Sequence, residues 1–134
     1  RLALTSDELM KPGLERIGAF FPFVPQRLKQ RAGTLSGGEQ KMLLVARALM
    51  TKPKLKLVDA ISEGLQPSVI ERLAGVFKAE REQSQTAILL IEQHVKFALA
   101  VADRYAVLKL GEIVDRGDAN HDGARVRIAS QLSV

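Results

Sequence analysis

The sequence of 134 residues contains no cysteine and no tryptophan, and it has a single tyrosine. Without cysteine, the chain can form neither disulfide bonds nor metal sites with thiolate ligands. With so few aromatic rings, it has little to stack on nucleic-acid bases. Long apolar runs are also missing. A run such as Ala87-Ile88-Leu89-Leu90-Ile91 is far shorter than the ~20 residues that cross a bilayer. No charged-then-apolar leader opens the chain, so we expect a cytosolic location.

The composition is that of one soluble globular domain, or part of one. Hydrophobic residues make up 46% of the chain and charged residues 26%, values that a disordered segment does not reach together. Twenty basic and fifteen acidic residues give a net charge of +5. Most basic residues stand beside acids on helix-like segments, with Arg27, Lys29 and Arg31 as the exception. We therefore expect no nucleic-acid partner.

Hydrophobic spacing predicts an α/β fold. A strand, a helix of about 15 residues and a second strand follow one another, which is typical of a parallel sheet. The second strand is predicted to be buried, and the last two strands to form a hairpin. The predicted elements are helices over 7–20 (interrupted by Pro12-Gly13), 38–50, 68–82, 95–102 and 125–132, strands over 55–59, 86–91, 105–108 and 113–114, and a loop over 21–25.

One motif stands at the start of the 38–50 helix. It consists of Leu35, Ser36, Gly37, Gly38, Glu39 and Gln40. A serine hydroxyl, two glycines that allow close backbone approach and the positive end of a helix dipole favour an anion at this point. The alternative from these six residues alone is a flexible connector or a helix cap.

The motif resembles the signature of ABC-transporter ATP-binding subunits, together with Ala46-Arg47-Ala48-Leu49 and the apolar run from Pro53 to Asp59. The resemblance implies an ABC-type P-loop nucleotide hydrolase fold, here as its C-terminal part with an incomplete, mostly parallel sheet. It divides the chain into a helical signature part, 1–50, and a second part, 51–134. By the same resemblance, Ser36, Gly37 and Gly38 contact the γ-phosphate of ATP held by the opposite subunit, and Leu35, Glu39 and Gln40 complete this nucleotide site.

The sequence contains no GxxxxGK[ST] phosphate loop. The resemblance covers nearly all of this chain but only about the C-terminal half of the family's domain. We therefore expect the chain to bind MgATP weakly and to be no active ATPase by itself.

Asp59 ends an apolar strand, at the edge where parallel sheets bind ligands. A strand-ending aspartate that caps the next turn is the alternative; the resemblance implies the aspartate that holds Mg²⁺.

Ala60 stands where the family has the catalytic glutamate, and a methyl group can neither accept a proton nor orient water. Lys56 lies within the same strand, and we expect its ammonium group to reach water through an exposed face.

Two further segments correspond to parts of the family's site. Glu63, Gly64, Leu65 and Gln66 occupy the place of the D-loop, with a glycine turn as the alternative reading. Gln93 falls at the position of the switch histidine, where an amide can donate one hydrogen bond to a phosphate. His94 is predicted to start a helix, and His121 to be solvated.

The resemblance extends to the subfamily that energises branched-chain amino-acid uptake, in which Gln30-Arg31-Ala32-Gly33-Thr34 and Ser62-Glu63-Gly64-Leu65 recur. It implies an importer of these or related amides or urea, with ATP and Mg²⁺ as cofactors. The implied partners are a second ATP-binding subunit and membrane permease subunits at the inner face of the membrane. The alternatives are a head fragment of a DNA or chromatin protein and a stand-alone interaction module, and the incomplete sheet predicts self-association through exposed strand edges.

Overall fold

The computed structural model describes residues 7–51, 53–84 and 86–132. No helix within these ranges has the length and apolar character needed to cross a membrane. The elements in chain order are α1 (Asp7–Phe20), α2 (Phe23–Gln26), α3 (Gly37–Met50), β1 (Leu55–Asp59), α4 (Pro67–Ser84), β2 (Ala87–Ile91), α5 (Val95–Val101), β3 (Arg104–Lys109), β4 (Glu112–Asp118) and α6 (Ala124–Leu132).

Strands β1 and β2 form the predicted parallel pair, with α4 as the crossover between them. The register runs from Leu55 opposite Ala87 to Asp59 opposite Ile91, so both strands end together. Val58, Ile88 and Leu90 pack against the apolar core from the sheet, and most of the buried core residues lie on helices. Its large, deeply buried apolar side chains are Ile17, Phe21, Leu49, Leu73, Val76, Phe77 and Phe97.

The opposite face of this sheet is bare. Leu55, Leu57, Leu89 and Ile91 are each more than half exposed. The prediction that the second strand is buried is therefore wrong, because side chains alternate along a strand and helices cover one face only within the described residues. Self-association through the strand edges stays a prediction.

Two predictions about proline were also wrong. Helix α1 continues through Pro12, and α2 forms where a loop was expected. Pro12 removes one helical hydrogen bond, but Ile17 farther along α1 is fully buried in the core, and this packing outweighs the loss. Pro25 lies in the first turn of α2, where the missing N–H has no intrahelical partner in any case.

The lysine in β1 does not reach water. Lys56 is 5% exposed and its Nζ donates to Oε1 of Glu80, which is 2% exposed. Arg16 Nη1 lies 3.2 Å from the other oxygen of Glu80 and its Nη2 donates to the carbonyl of Leu49. The expectation of an exposed lysine face is thus wrong, since an internal carboxylate takes the place of water. This ion cluster joins α1, the end of α3, β1 and α4.

The carboxyl-terminal part is the predicted hairpin with a helix packed on it. Strands β3 and β4 are antiparallel, with Lys109 opposite Glu112. Asp115 on β4 accepts a hydrogen bond from Tyr105 at 3.0 Å and another from Arg127 of α6. These contacts attach α6 to the hairpin.

The hairpin turn contains a strained leucine. Leu110 has φ 51° and Gly111 φ 86°, the pattern of a turn that favours Asn-Gly. Leu110→Asn should raise the free energy of unfolding by about 0.5–1 kcal/mol, because asparagine tolerates the left-handed region better than leucine. Urea unfolding measures this change. Leu108→Asn, in β3 and also exposed, is the control, and an equal gain there would contradict the turn argument.

Candidate functional site

The start of α3 carries a complete capping box. Ser36 is the N-cap residue, and its Oγ accepts from the Glu39 N–H at 3.3 Å. In return, Oε2 of Glu39 accepts from the backbone N–H of Ser36 at 2.9 Å and from its hydroxyl at 3.0 Å. This reciprocal pairing fixes the direction in which α3 leaves the loop.

The carboxylate of Glu39 is held in its charged form. Hydrogen bonds from the backbone and the side chain of Ser36, together with the charge of Arg27, hold the pKa of Glu39 below its ordinary value. Arg27 Nη1 lies 2.9 Å from Oε1 of Glu39. An anion that approaches Ser36 therefore competes with Glu39 for the hydroxyl proton, while Arg27 offsets the repulsion between the two negative charges.

The two glycines of the motif are not required by the fold. A Cβ at Gly37 would meet no atom within 4 Å, and one at Gly38 would make only ordinary contacts, 3.7 Å from Leu65 and 3.9 Å from Val69. Both residues belong to the first turn of α3, whose N–H groups have no acceptor within the helix. Glycine is also a poor helix former. The sequence thus leaves open space and backbone donors at the positive end of a helix, which fits an anion from outside.

The turn after β1 lies against this helix start. Lys41 Nζ donates to the carbonyl of Glu63, and Leu65 lies beside Gly38. Gly64 has φ +68°, which glycine adopts without strain. The structure therefore brings the predicted signature and the predicted D-loop segment together, although they are far apart in sequence.

The carboxyl ends of β1 and β2 carry the other predicted site residues. Asp59 and Ala60 are exposed there, and Ala60 has φ 45° while its N–H donates to the carbonyl of Ile91 at 2.9 Å. Gln93 is exposed just beyond β2, and His94 is the N-cap residue of α5, as predicted. Both strands thus deliver their polar residues to one edge of the sheet.

Within the described ranges, no group of three or more acidic, histidine or cysteine side chains could enclose a metal ion. Asp59 contributes one carboxylate at the strand ends. This fits Mg²⁺, which often binds through one or two carboxylates while phosphate oxygens and water complete its octahedron.

Three contacts at this site were not predicted from the sequence. Glu92 binds Ser62 through both carboxylate oxygens, Lys41 reaches the 60–66 turn, and Arg27 pairs with Glu39. The basic segment before the motif was a signal for Arg27. The position of Glu92 directly after β2 was a signal that it has a polar role, but its partner lies 30 positions away.

An α/β unit with open backbone donors at a helix start beside the carboxyl ends of parallel strands is an arrangement that ATP-binding cassettes share. A family model described as ABC transporter matches residues 6–62. Solved ATP-binding cassettes share the fold. The ADP conformation of one cassette gives a TM-score of 0.78 at 23% identity, over 96% of this chain and 48% of the other. A dimeric post-hydrolysis cassette with ADP and Pi gives 0.73 at 20% identity, over 90% and 52%.

Curated relatives support the same assignment. The branched-chain amino acid transport ATP-binding protein BraG of Pseudomonas aeruginosa is 43% identical over 87% of this chain and 50% of its own length. A protein of Archaeoglobus fulgidus named as a probable branched-chain amino acid transport ATP-binding protein, LivF, is 36% identical over 75% of this chain and 42% of its own length. The phosphate import protein PstB of Campylobacter jejuni is 37% identical over 87% and 44%. The chain is thus similar to ATP-binding proteins of ABC transporters and spans about half the length of these relatives.

Proposed function

We propose that this chain is the part of an importer's ATP-binding subunit that completes a nucleotide site shared with a second ATP-binding subunit. The observation that supports this most is the open space at Gly37, at a helix start that the fold could build equally well with alanine. In the proposed complex, the Ser36 hydroxyl and the N–H groups of Gly37 and Gly38 donate to the γ-phosphate of ATP held by the other subunit. Leu35, Glu39 and Gln40 shape this contact.

The 51–134 part has the metal and switch side of the site in this proposal. Asp59 binds Mg²⁺ and Gln93 donates to a phosphate, while residues 63–66 lie at the contact between subunits. Bound MgATP supplies the anionic phosphates. Ala60 cannot polarise water, so we expect this chain to support nucleotide-dependent association but no hydrolysis of its own.

The proposed solutes are branched-chain amino acids or related amides, supported by the names of two of the relatives above. A phosphate-import relative is 37% identical, against 43% and 36% for the two branched-chain relatives. The proposed location is the cytoplasmic face of the membrane, where permease subunits bind the ATP-binding subunits.

The experiment is nucleotide-dependent association with a complete relative. The 134-residue chain, labelled with a fluorophore at its amino terminus, is mixed with unlabelled BraG of Pseudomonas aeruginosa. Fluorescence-detected sedimentation velocity is then recorded with and without the magnesium complex of AMP-PNP. We expect a heterodimer with MgAMP-PNP and none with MgADP, because ADP lacks the γ-phosphate that bridges the two chains.

Two outcomes would contradict the proposal. Association of equal strength with and without nucleotide would indicate a stand-alone interaction module. Tight, stoichiometric binding of MgAMP-PNP to the labelled chain alone would show that its site is not shared.

A further inference from the structure

A single carboxylate joins the two loops that follow the parallel strands. Oε1 of Glu92 accepts from the backbone N–H of Ser62 at 2.9 Å, and Oε2 accepts from the Ser62 hydroxyl at 2.6 Å. Ser62 is 6% exposed, although Glu63 and Gly64 beside it are exposed. This Glu92–Ser62 clamp is therefore the buried end of a turn that otherwise faces solvent.

The clamp continues the sheet beyond its last backbone bond. The N–H of Ala60 donates to the carbonyl of Ile91 at 2.9 Å. Two residues after Ala60, the N–H of Ser62 donates to the side chain of Glu92. Hydrogen bonds to an ionised carboxylate are stronger than neutral ones. Ala60, a residue with a Cβ and φ 45°, lies between the last backbone bond and the clamp.

The same turn is held from a second side. Lys41 of α3 donates to the carbonyl of Glu63, the residue after Ser62. Glu92 itself precedes Gln93 directly. The turn is thus tied to α3, which starts at the signature, and to Glu92, which directly precedes the residue at the switch position.

We propose that Glu92 is a positioning residue: it fixes residues 62–66 against the signature helix and fixes Gln93 at the strand ends, so that both surfaces meet a shared nucleotide in register. This inference rests on the function proposed above. It assigns Glu92 a role through hydrogen bonding, because both oxygens face donors of Ser62 and neither oxygen has to face the nucleotide.

Two substitutions separate hydrogen bonding from charge. Glu92→Ala removes both bonds. Glu92→Gln keeps an oxygen for the Ser62 N–H, and its amide can donate to the Ser62 hydroxyl, which also accepts. Ser62→Ala removes the hydroxyl bond alone and leaves the backbone bond. Glu71→Ala changes an exposed glutamate of α4 and is the matched control.

The first readout is amide hydrogen exchange of Ser62 in the chain alone, followed by NMR. We expect Glu92→Ala to lower the protection of this amide at least about tenfold, while Glu92→Gln and Glu71→Ala stay within about threefold of the unsubstituted chain. Amides of α4 should keep their protection in every variant, which a general loss of stability would not allow.

The second readout is the MgAMP-PNP concentration that gives half-maximal association with BraG. We expect Glu92→Ala to raise it about fivefold, Ser62→Ala to raise it less, and Glu92→Gln to keep it within about twofold. An unchanged Glu92→Ala variant would overturn the proposal, as would a Glu92→Gln variant as weak as Glu92→Ala.

The two readouts separate this inference from the proposed function. If the unsubstituted chain does not associate with BraG in the presence of MgAMP-PNP, the proposed function fails, and the positioning role fails with it even where the Ser62 amide is protected. If the unsubstituted chain associates and the Glu92 variants do so equally well, only the positioning role is wrong. Should Glu92→Ala not fold, Ser62→Ala decides, and equal association of Ser62→Ala and the unsubstituted chain counts against the clamp.

Discussion

Replacing Glu80 with alanine is expected to lower the free energy of unfolding by about 3–5 kcal/mol. Glu80 and Lys56 are both buried, and the carboxylate is the partner of the Lys56 ammonium and of Arg16. Without it, the ammonium remains in the core with no compensating charge. Because a domain of this size is stabilised by only about 5–15 kcal/mol, the loss is a large fraction of the total. Urea unfolding followed by circular dichroism measures it.

The control variants test whether the effect comes from the unpaired charge. Glu82→Ala, an exposed position of the same helix, should change stability by no more than about 0.5 kcal/mol. The double variant Lys56→Met with Glu80→Leu should recover most of the loss, since an apolar pair needs no partner for a buried charge. Equal midpoints for Glu80→Ala and Glu82→Ala would show that the cluster contributes little.

The same cluster predicts how stability responds to acid. Burial of Glu80 opposes its ionisation, but the hydrogen bond and charge of Lys56 and the charge of Arg16 outweigh it, so the pKa of Glu80 lies below its ordinary value of 4.5. A lowered pKa adds stability that is complete above pH 4.5 and is lost as the pH falls through the folded-state pKa. The double variant lacks this group, so its stability should fall less than that of the unsubstituted chain below this pH.

Gly37→Asp is expected to weaken nucleotide-dependent association at least about tenfold without harming the fold. A Cβ at this position meets no neighbour within 4 Å, and aspartate in the first turn of a helix is stabilising. The new carboxylate lies where the γ-phosphate is proposed to bind, and two like charges repel strongly there. The half-saturating MgAMP-PNP concentration in the BraG assay should rise at least about tenfold, or ~1.4 kcal/mol.

Gly75→Asp is the matched control, because it adds the same charge at another helix glycine with open space around it. We expect it to leave the association unchanged, although aspartate in the interior of a helix brings no dipole benefit. Gly37→Ala should keep or raise stability and weaken association less than aspartate does. A Gly37→Asp variant that associates like the Gly75→Asp variant would place the nucleotide elsewhere.

Local patterns were sufficient for most of the fold. Periodicity placed α3, α4 and the β1–β2 pair within a few residues, because the spacing of apolar side chains reflects one buried face of each element. The errors occurred where packing outweighed a local rule. Pro12 and Pro25 lie inside helices, since the burial of their neighbours or a position in the first turn compensates for the missing N–H.

The motif at Ser36 could be located from the sequence, and the capping box could have been read there as well, since Glu39 follows Ser36 by three residues. The contacts around the motif could not be predicted from the sequence. Lys41 reaches Glu63 across 22 positions, and Glu92 reaches Ser62 across 30. Such pairings depend on how β1, β2 and α3 are arranged in space, about which a single sequence without the fold gives no information.

The sequence by itself determined the parallel unit and the family resemblance, because both depend on short-range spacing and on residue type. Only the tertiary structure decided that Lys56 is buried and paired with Glu80, because the strand pattern around it does not specify what its side chain contacts. It also decided that one face of the sheet stays bare, with Leu57 71% exposed. The physical reason is the same in both cases: burial and charge pairing are properties of the neighbours that folding brings, and those neighbours are distant in the chain.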